Sequence, residues 1–122
     1  MKTSGRTYLK EEILQFLRKG FGASEIVSEY GMTELLSQAY AMDGVNYTCA
    51  ETMKVLVSDM TDPFCFLTPG HRGRINIIDL ANIDTCSFIQ TGDAGILMSD
   101  GKFQVLGRIT GEDLRGCNLM YE

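Results

Sequence analysis

The sequence predicts an α+β fold, with a helix first and antiparallel strands after it. Three observations carry that prediction. Leu9, Ile13, Leu14 and Leu17 recur at spacings of three and four, which lays them along one stripe of a helix. Met53, Val55 and Val57 alternate with other residues, the period of a strand with one face turned inward. Asp100-Gly101 stands between two short apolar runs, a strong hairpin signal. The expected organisation is a helix–strand unit over residues 1–40, the remnant of an α/β layer, followed by a small antiparallel β-barrel-like subdomain over residues 41–122.

Each element has a local reason. The helix is expected from about Thr7 to Lys19, with Thr7 as its N-cap. Arg18 and Lys19 suit the negative end of the helix dipole, and Gly20 follows where a terminating glycine belongs. Phe21 to Glu29 then reads as a short strand around Ile26 and Val27. Asp43-Gly44 marks a turn, and Met53 to Asp59 is the alternating strand. Thr61 to Gly73 holds both prolines, Pro63 and Pro69, and reads as a loop. Arg74 to Leu80, rich in isoleucine, is a strand. Ala94 to Met98 and Phe103 to Gly107 are two more, joined by the turn from Ser99 to Lys102.

The 122 residues suffice for one core. Hydrophobic residues at 44% and charged residues at 22% rule out wholesale disorder. Eleven basic against sixteen acidic side chains give a net charge of −5, which argues against nucleic acid as a partner, since that needs a basic face. Met1 to Lys10 lacks the apolar segment of a secretory signal. No run approaches the roughly 20 apolar residues that span a bilayer, so no membrane partner is expected.

Cys49, Cys65, Cys86 and Cys117 form no Cys-x-x-Cys pair, which argues against a zinc ribbon or a thioredoxin-type site. An even count permits two disulfides. Without an export segment, free thiols in a reducing cytoplasm are the expected state. Cys49, Cys65 and Cys86 have apolar neighbours and are expected to be buried, with Cys86 close before a Thr-Gly-Asp segment whose site it could line. His71, the single histidine, has no nucleophile or carboxylate motif beside it.

Three glycine-containing polar segments carry the chemistry. Tyr30-Gly31-Met32-Thr33-Glu34 admits two readings. One is a turn leading into a helix, Thr33 capping Thr33 to Tyr40. The other is a phosphate and cation site, with the Thr33 hydroxyl on phosphate, the Glu34 carboxylate on magnesium, and Tyr30 offering a flat face to a base. In Thr91-Gly92-Asp93, Asp93 can accept two hydrogen bonds from a ribose diol. In Gly107-Arg108, Arg108 is either a surface residue at a strand end or a planar fork for phosphate or ribose.

In this order, the three motifs resemble those of the adenylate-forming (acyl-AMP) enzyme superfamily. Ser28 to Tyr40 (SEYGMTELLSQAY), Ile75 to Ile83 (INIIDLANI) and Gly107 to Met120 (GRITGEDLRGCNLM) resemble the acyl-protein synthetase (LuxE-type) family. The resemblance implies the C-terminal portion, about a third, of such an enzyme and the tail of its N-terminal domain. It implies activation of a fatty acid or other carboxylic acid by ATP and magnesium, then transfer of the acyl group to an enzyme thiol. It also implies a partner reductase that takes the acyl group to the aldehyde. By the same resemblance Tyr30 flanks adenine, Thr33 meets phosphate, Glu34 holds magnesium, Asp93 binds the ribose hydroxyls, Arg108 assists there, and Cys117 accepts the acyl group.

The sequence departs from that pattern in two places. No Ser/Thr/Gly-rich phosphate loop precedes Thr33, so the chain by itself is expected to be inactive. Gly111 stands where the hinge acid after Gly-Arg belongs, with Glu112 and Asp113 following. Two alternatives stay open: a docking or scaffold module without catalysis, and a fragment of a phenylacetate-type acyl-coenzyme A ligase. The apolar Leu9–Ile13–Leu17 stripe, with Ile26 and Val27, also predicts self-association into a homo-oligomer.

Overall fold

In the computed structural model of the chain, residues 9–114 are described. The fold is α+β. Helix α1 spans Lys10–Phe21. Strands β1 (Ser28–Tyr30), β2 (Ala39–Ala41) and β3 (Thr48–Cys49) form one antiparallel sheet in that order. Strands β4 (Met53–Ser58), β5 (Arg72–Asp79), β6 (Phe88–Leu97) and β7 (Phe103–Arg108) form a second, a four-stranded antiparallel meander. A 3₁₀ turn, Leu80–Asn82, follows β5, and a helical segment opens at 111–114.

The helix begins later and ends later than its apolar stripe predicts. Glu12 reaches back to accept from the Leu9 backbone N–H at 3.1 Å, which satisfies one free donor at the helix start. Gly22, not Gly20, ends the helix, in a left-handed conformation (φ 62°) that glycine adopts without steric cost. Thr7, the expected N-cap, lies outside the described residues. Only Leu14 of the stripe is buried, against Gly44; Leu9, Ile13 and Leu17 remain exposed, as do Phe16 and Phe21. A Cβ on Gly44 would stand 2.7 Å from Leu14 Cδ1, and Gly44 sits at φ 80°, a backbone conformation that favours glycine.

The expected strand around Ile26 and Val27 forms slightly later, as β1, and pairs antiparallel with β2 (Ser28 opposite Ala41, Tyr30 opposite Ala39). No helix follows Thr33. Residues 31–38 turn instead, and Ala39 and Ala41 enter the sheet with no exposed surface. The boundary expected at residue 40 falls inside β2.

The second sheet follows the expected alternation. Met53, Val55 and Val57 of β4 face the same core as Ile75 and Ile77 of β5. Ser99–Lys102 closes the β6–β7 hairpin, with Gly101 at φ 87° and the Met98 N–H donating to the Lys102 carbonyl at 2.7 Å. The sheet stays open among the described residues, with β4 and β7 at its ends, so the barrel-like closure is not formed. Tyr47 and Phe103 exchange backbone hydrogen bonds of 2.8 and 3.1 Å and join the two sheets. One core results. It holds Tyr30, Leu35, Ala39 and Ala41 from the first sheet's side, and Val55, Ile75, Ile77 and Phe103 from the second.

The cysteines differ from expectation. Cys49 is half-buried, but Cys65 and Cys86 are exposed, because they lie in the turns between strands rather than on inward-facing strand positions. All three are free thiols. No helix among the described residues is long and apolar enough to cross a membrane.

Candidate functional site

Thr91-Gly92-Asp93 lies inside β6, not in a loop. Arg74 pairs with Ala94 and Asn76 with Gln90. Between those pairs β5 has only Ile75, while β6 runs through Thr91, Gly92 and Asp93. The extra residues form a bulge, and a bulge re-aims the side chains it carries. The Thr91 hydroxyl pins it, donating to the Ile75 carbonyl at 2.8 Å and accepting from the Asp93 N–H at 3.0 Å. Arg74 adds a guanidinium bond to the Thr91 carbonyl at 3.1 Å.

On its other side the bulge meets β7. Asp93 pairs directly with Arg108, and Arg108 Nη1 donates to Asp93 Oδ1 at 3.0 Å. The Asp93 side chain is 11% exposed and the Arg108 side chain 79%, so the carboxylate sits at the floor and the guanidinium at the surface. Gly92 lies beneath that guanidinium: a Cβ there would come within 3.2 Å of Arg108 Nη2.

The second Asp93 oxygen belongs to Tyr30, whose hydroxyl donates to Oδ2 at 2.8 Å. The Tyr30 ring is 9% exposed and meets Phe103 and Tyr47 edge to face, with centroids 5.5 and 6.1 Å away. The ring is therefore part of the core rather than an open platform for a base. Burial, then the hydrogen bond and the negative charge of Asp93, push the Tyr30 phenol above its ordinary 10.0 and keep it a donor.

Tyr30, Asp93 and Arg108 are thus brought together by hydrogen bonds. Thr33 and Glu34 follow Tyr30 on a turn, and both are exposed. Among the described residues there is no cluster of three or more His, Cys, Asp or Glu side chains able to hold a metal ion. A single carboxylate suits magnesium only when phosphate oxygens and water complete its shell. Cys117 lies outside the described residues. Exposed Cys86 donates weakly to the Phe88 carbonyl at 3.3 Å. Past Arg108, the Ile109 N–H donates to the Gly92 carbonyl at 2.8 Å, and Asp113 pairs with Arg72 at 3.0 Å while accepting from the Thr110 N–H at 2.7 Å.

Asp79 and Asn82 complete the neighbourhood and were not singled out by sequence motif. Asp79 is fully buried at the end of β5. Its Oδ2 accepts from the Leu36 and Ser37 N–H groups at 2.8 and 3.0 Å. Its Oδ1 accepts from Ser37 Oγ at 2.6 Å and the Ala81 N–H at 3.1 Å. Asn82 Nδ2 donates to the Glu34 carbonyl at 2.8 Å. The missed signal is register: Ile75, Ile77 and Asp79 share one face of β5, which puts an acid on an inward position.

No family model matches the chain, and no curated protein matches it. Solved structures do match in fold. ATP-bound MatB from Rhodopseudomonas palustris aligns with a TM-score of 0.61 at 19% identity, over 80% of this chain and 23% of that one. O-succinylbenzoate coenzyme A synthetase (MenE) from Bacillus subtilis, in complex with AMP, aligns with a TM-score of 0.57 at 21% identity, over 86% and 25%. The luciferase-like enzyme from the nonluminescent Zophobas morio mealworm gives 0.61 at 20% identity, over 84% and 30%. The chain therefore spans 23–30% of the length of these structures. The likeness is one of fold.

Proposed function

We propose that this chain carries the ribose- and phosphate-facing part of a site that activates a carboxylic acid with ATP. One observation carries the reading. Three motifs far apart in sequence converge on one carboxylate, Asp93, held by Tyr30 on one oxygen and Arg108 on the other. An ionised carboxylate has about four acceptor positions. Each Asp93 oxygen keeps capacity for one further donor, which suits the two hydroxyls of a ribose diol. Arg108 keeps guanidinium N–H groups directed to solvent and suits a phosphate. Thr33, on the turn, would meet the phosphates, and Glu34 would hold a magnesium ion that supplies positive charge to them. The core packing of the Tyr30 ring favours Asp93, rather than adenine, as the group that Tyr30 serves.

In the reaction so proposed, a carboxylate oxygen of the acid attacks the α-phosphorus, giving an acyl-adenylate and releasing pyrophosphate. A thiolate then attacks the acyl carbon, and AMP leaves. Resemblance of the sequence to acyl-protein synthetases favours Cys117 as that thiol, with an acyl-protein reductase next. The coenzyme A synthetase among the fold matches favours coenzyme A instead. In an enzyme completed with the phosphate loop, mass spectrometry after supplying labelled fatty acid, ATP and coenzyme A separates the two: a thioester on Cys117 supports the first, labelled acyl-coenzyme A the second.

The test of the site is calorimetric titration of the chain with AMP and with magnesium ATP. Saturable binding by the wild type, weakened at least about tenfold by Asp93→Ala, is expected, since hydrogen bonds to a charged group contribute about 1.5–3 kcal/mol. Equal binding by the wild type and Asp93→Ala, or none by either, would overturn the reading.

A further inference from the structure

We infer that Asp79, together with Asn82, is the positioning residue that sets the turn carrying Thr33 and Glu34. The inference rests on the nucleotide-site reading for its functional side and on geometry for the rest. The turn is short of regular structure, with Thr33 and Glu34 exposed and Leu35 and Ser37 buried: β1 ends at Tyr30 and β2 begins at Ala39. Its backbone finds few partners of its own; the Leu35 N–H donates to the Met32 carbonyl at 3.0 Å. The next two N–H groups, of Leu36 and Ser37, both point at one Asp79 oxygen. On the near side, the Glu34 carbonyl is taken by Asn82. The turn is therefore gripped on both sides of Leu35 by two residues more than 40 positions further along the chain.

Burying a carboxylate is expensive, and an apolar residue would serve packing alone at lower cost. Four donors on two oxygens offset that cost only if the turn adopts this one shape. Ser37 Oγ also lies 2.6 Å from Thr52 Oγ1, and the Leu80 N–H donates to the Thr52 carbonyl at 2.8 Å, which ties the grip to the segment before β4. The grip fixes where Thr33 and Glu34 stand without touching either side chain.

Asp79→Ala removes all four acceptor contacts. Asp79→Asn can keep its oxygen toward the Leu36 and Ser37 amides and donate to Ser37 Oγ, but its NH2 cannot accept from the Ala81 N–H, so it is the partly rescuing variant. Asn82→Ala releases the Glu34 carbonyl without touching the buried charge, and serves if Asp79→Ala does not fold. Two readouts on the full chain decide the matter. In amide hydrogen exchange, Asp79→Ala is expected to speed Leu36 and Ser37 at least about tenfold, with the β4–β7 amides unchanged and Asp79→Asn in between. In binding, magnesium ATP is expected to weaken at least about fivefold in Asp79→Ala or Asn82→Ala, with AMP within about twofold of wild type. AMP reads Asp93 but carries no β- or γ-phosphate for the turn. Unchanged exchange at Leu36 and Ser37, or equal loss of AMP and magnesium ATP, would overturn the inference. If the wild type binds neither nucleotide, the nucleotide-site reading fails, while the exchange experiment still decides whether Asp79 holds the turn.

Discussion

The Tyr30 hydroxyl donates to Asp93 Oδ2 at 2.8 Å across 63 positions of sequence, and both residues are buried. This bond ties the small sheet to the bulge in β6. Tyr30→Phe keeps the ring against Phe103 and Tyr47 but removes the donor. Asp93 then keeps only Arg108 as a side-chain donor. The variant is expected to lose about 1.5–3 kcal/mol of stability, the range for a hydrogen bond to a charged acceptor. Urea denaturation measures it, and an unshifted midpoint would count against the bond's contribution.

The raised Tyr30 pKa has a sign that alkaline titration can read. Its contribution is fully present below the ordinary 10.0 and is lost as pH rises toward the higher folded value. Stability is therefore expected to fall above pH 10.0 more steeply in the wild type than in Tyr30→Phe. Denaturation midpoints on either side of that pH, compared between the two proteins, give the answer. Parallel profiles would refute it.

Acid should destabilise the fold through carboxyls held below their ordinary value, Asp43, Asp59 and Asp79 among them. Donation from Asn46 and Val45 lowers Asp43 from 3.8 to about 2. Donation from Thr61 lowers Asp59. At Asp79 burial works upward, but the Ser37, Leu36 and Ala81 donors outweigh it and the carboxyl lies low. A lowered folded pKa means stability present above the unfolded value and lost as pH falls through the folded one. For Asp43 that window runs from 3.8 down to about 2. Thermal unfolding at stepped pH is expected to show the decline beginning as pH drops below about 4, with a shallower slope in Asp43→Asn. A flat profile through that window would exclude the assignment.

Gly44→Ala tests how the helix is attached. The position needs φ 80°, and its Cβ would meet Leu14 Cδ1, the one buried side chain among those described in α1. A loss of about 1 kcal/mol or more is expected from the backbone strain. Amide exchange across α1 should rise with it, more than exchange in β5. Equal protection of α1 in both proteins would mean that Leu14 is not its anchor.

Thiol labelling should rank the described cysteines by exposure. Cys65 and Cys86 are exposed, whereas burial pushes the Cys49 thiol above its ordinary value and hides it. Maleimide labelling followed by mass spectrometry is expected to modify Cys65 and Cys86 at least about tenfold faster than Cys49 in the folded chain. Equal rates would contradict the burial of Cys49.

The sequence by itself determined the fold class, the order of helix and meander, and the inward face of β4 and β5. Those features rest on local periodicity: three- and four-residue spacing in α1, two-residue alternation at Met53, Val55 and Val57, and an Asp-Gly turn at the β6–β7 hairpin. It also set Tyr30, Asp93 and Arg108 in three separate glycine-containing motifs. Only the tertiary structure decided how they meet. The bulge that aims Asp93 exists because Thr91, Gly92 and Asp93 face the single residue Ile75, a mismatch between two strands that neither strand contains alone. The Tyr30 ring went into the core because Phe103 and Tyr47 close around it from two other elements. Residues 31–38 turn rather than coil into a helix: Asp79, from the far end of β5, accepts from the Leu36 and Ser37 amides, and the Ser37 N–H is the first that a helix capped by Thr33 would have used within itself.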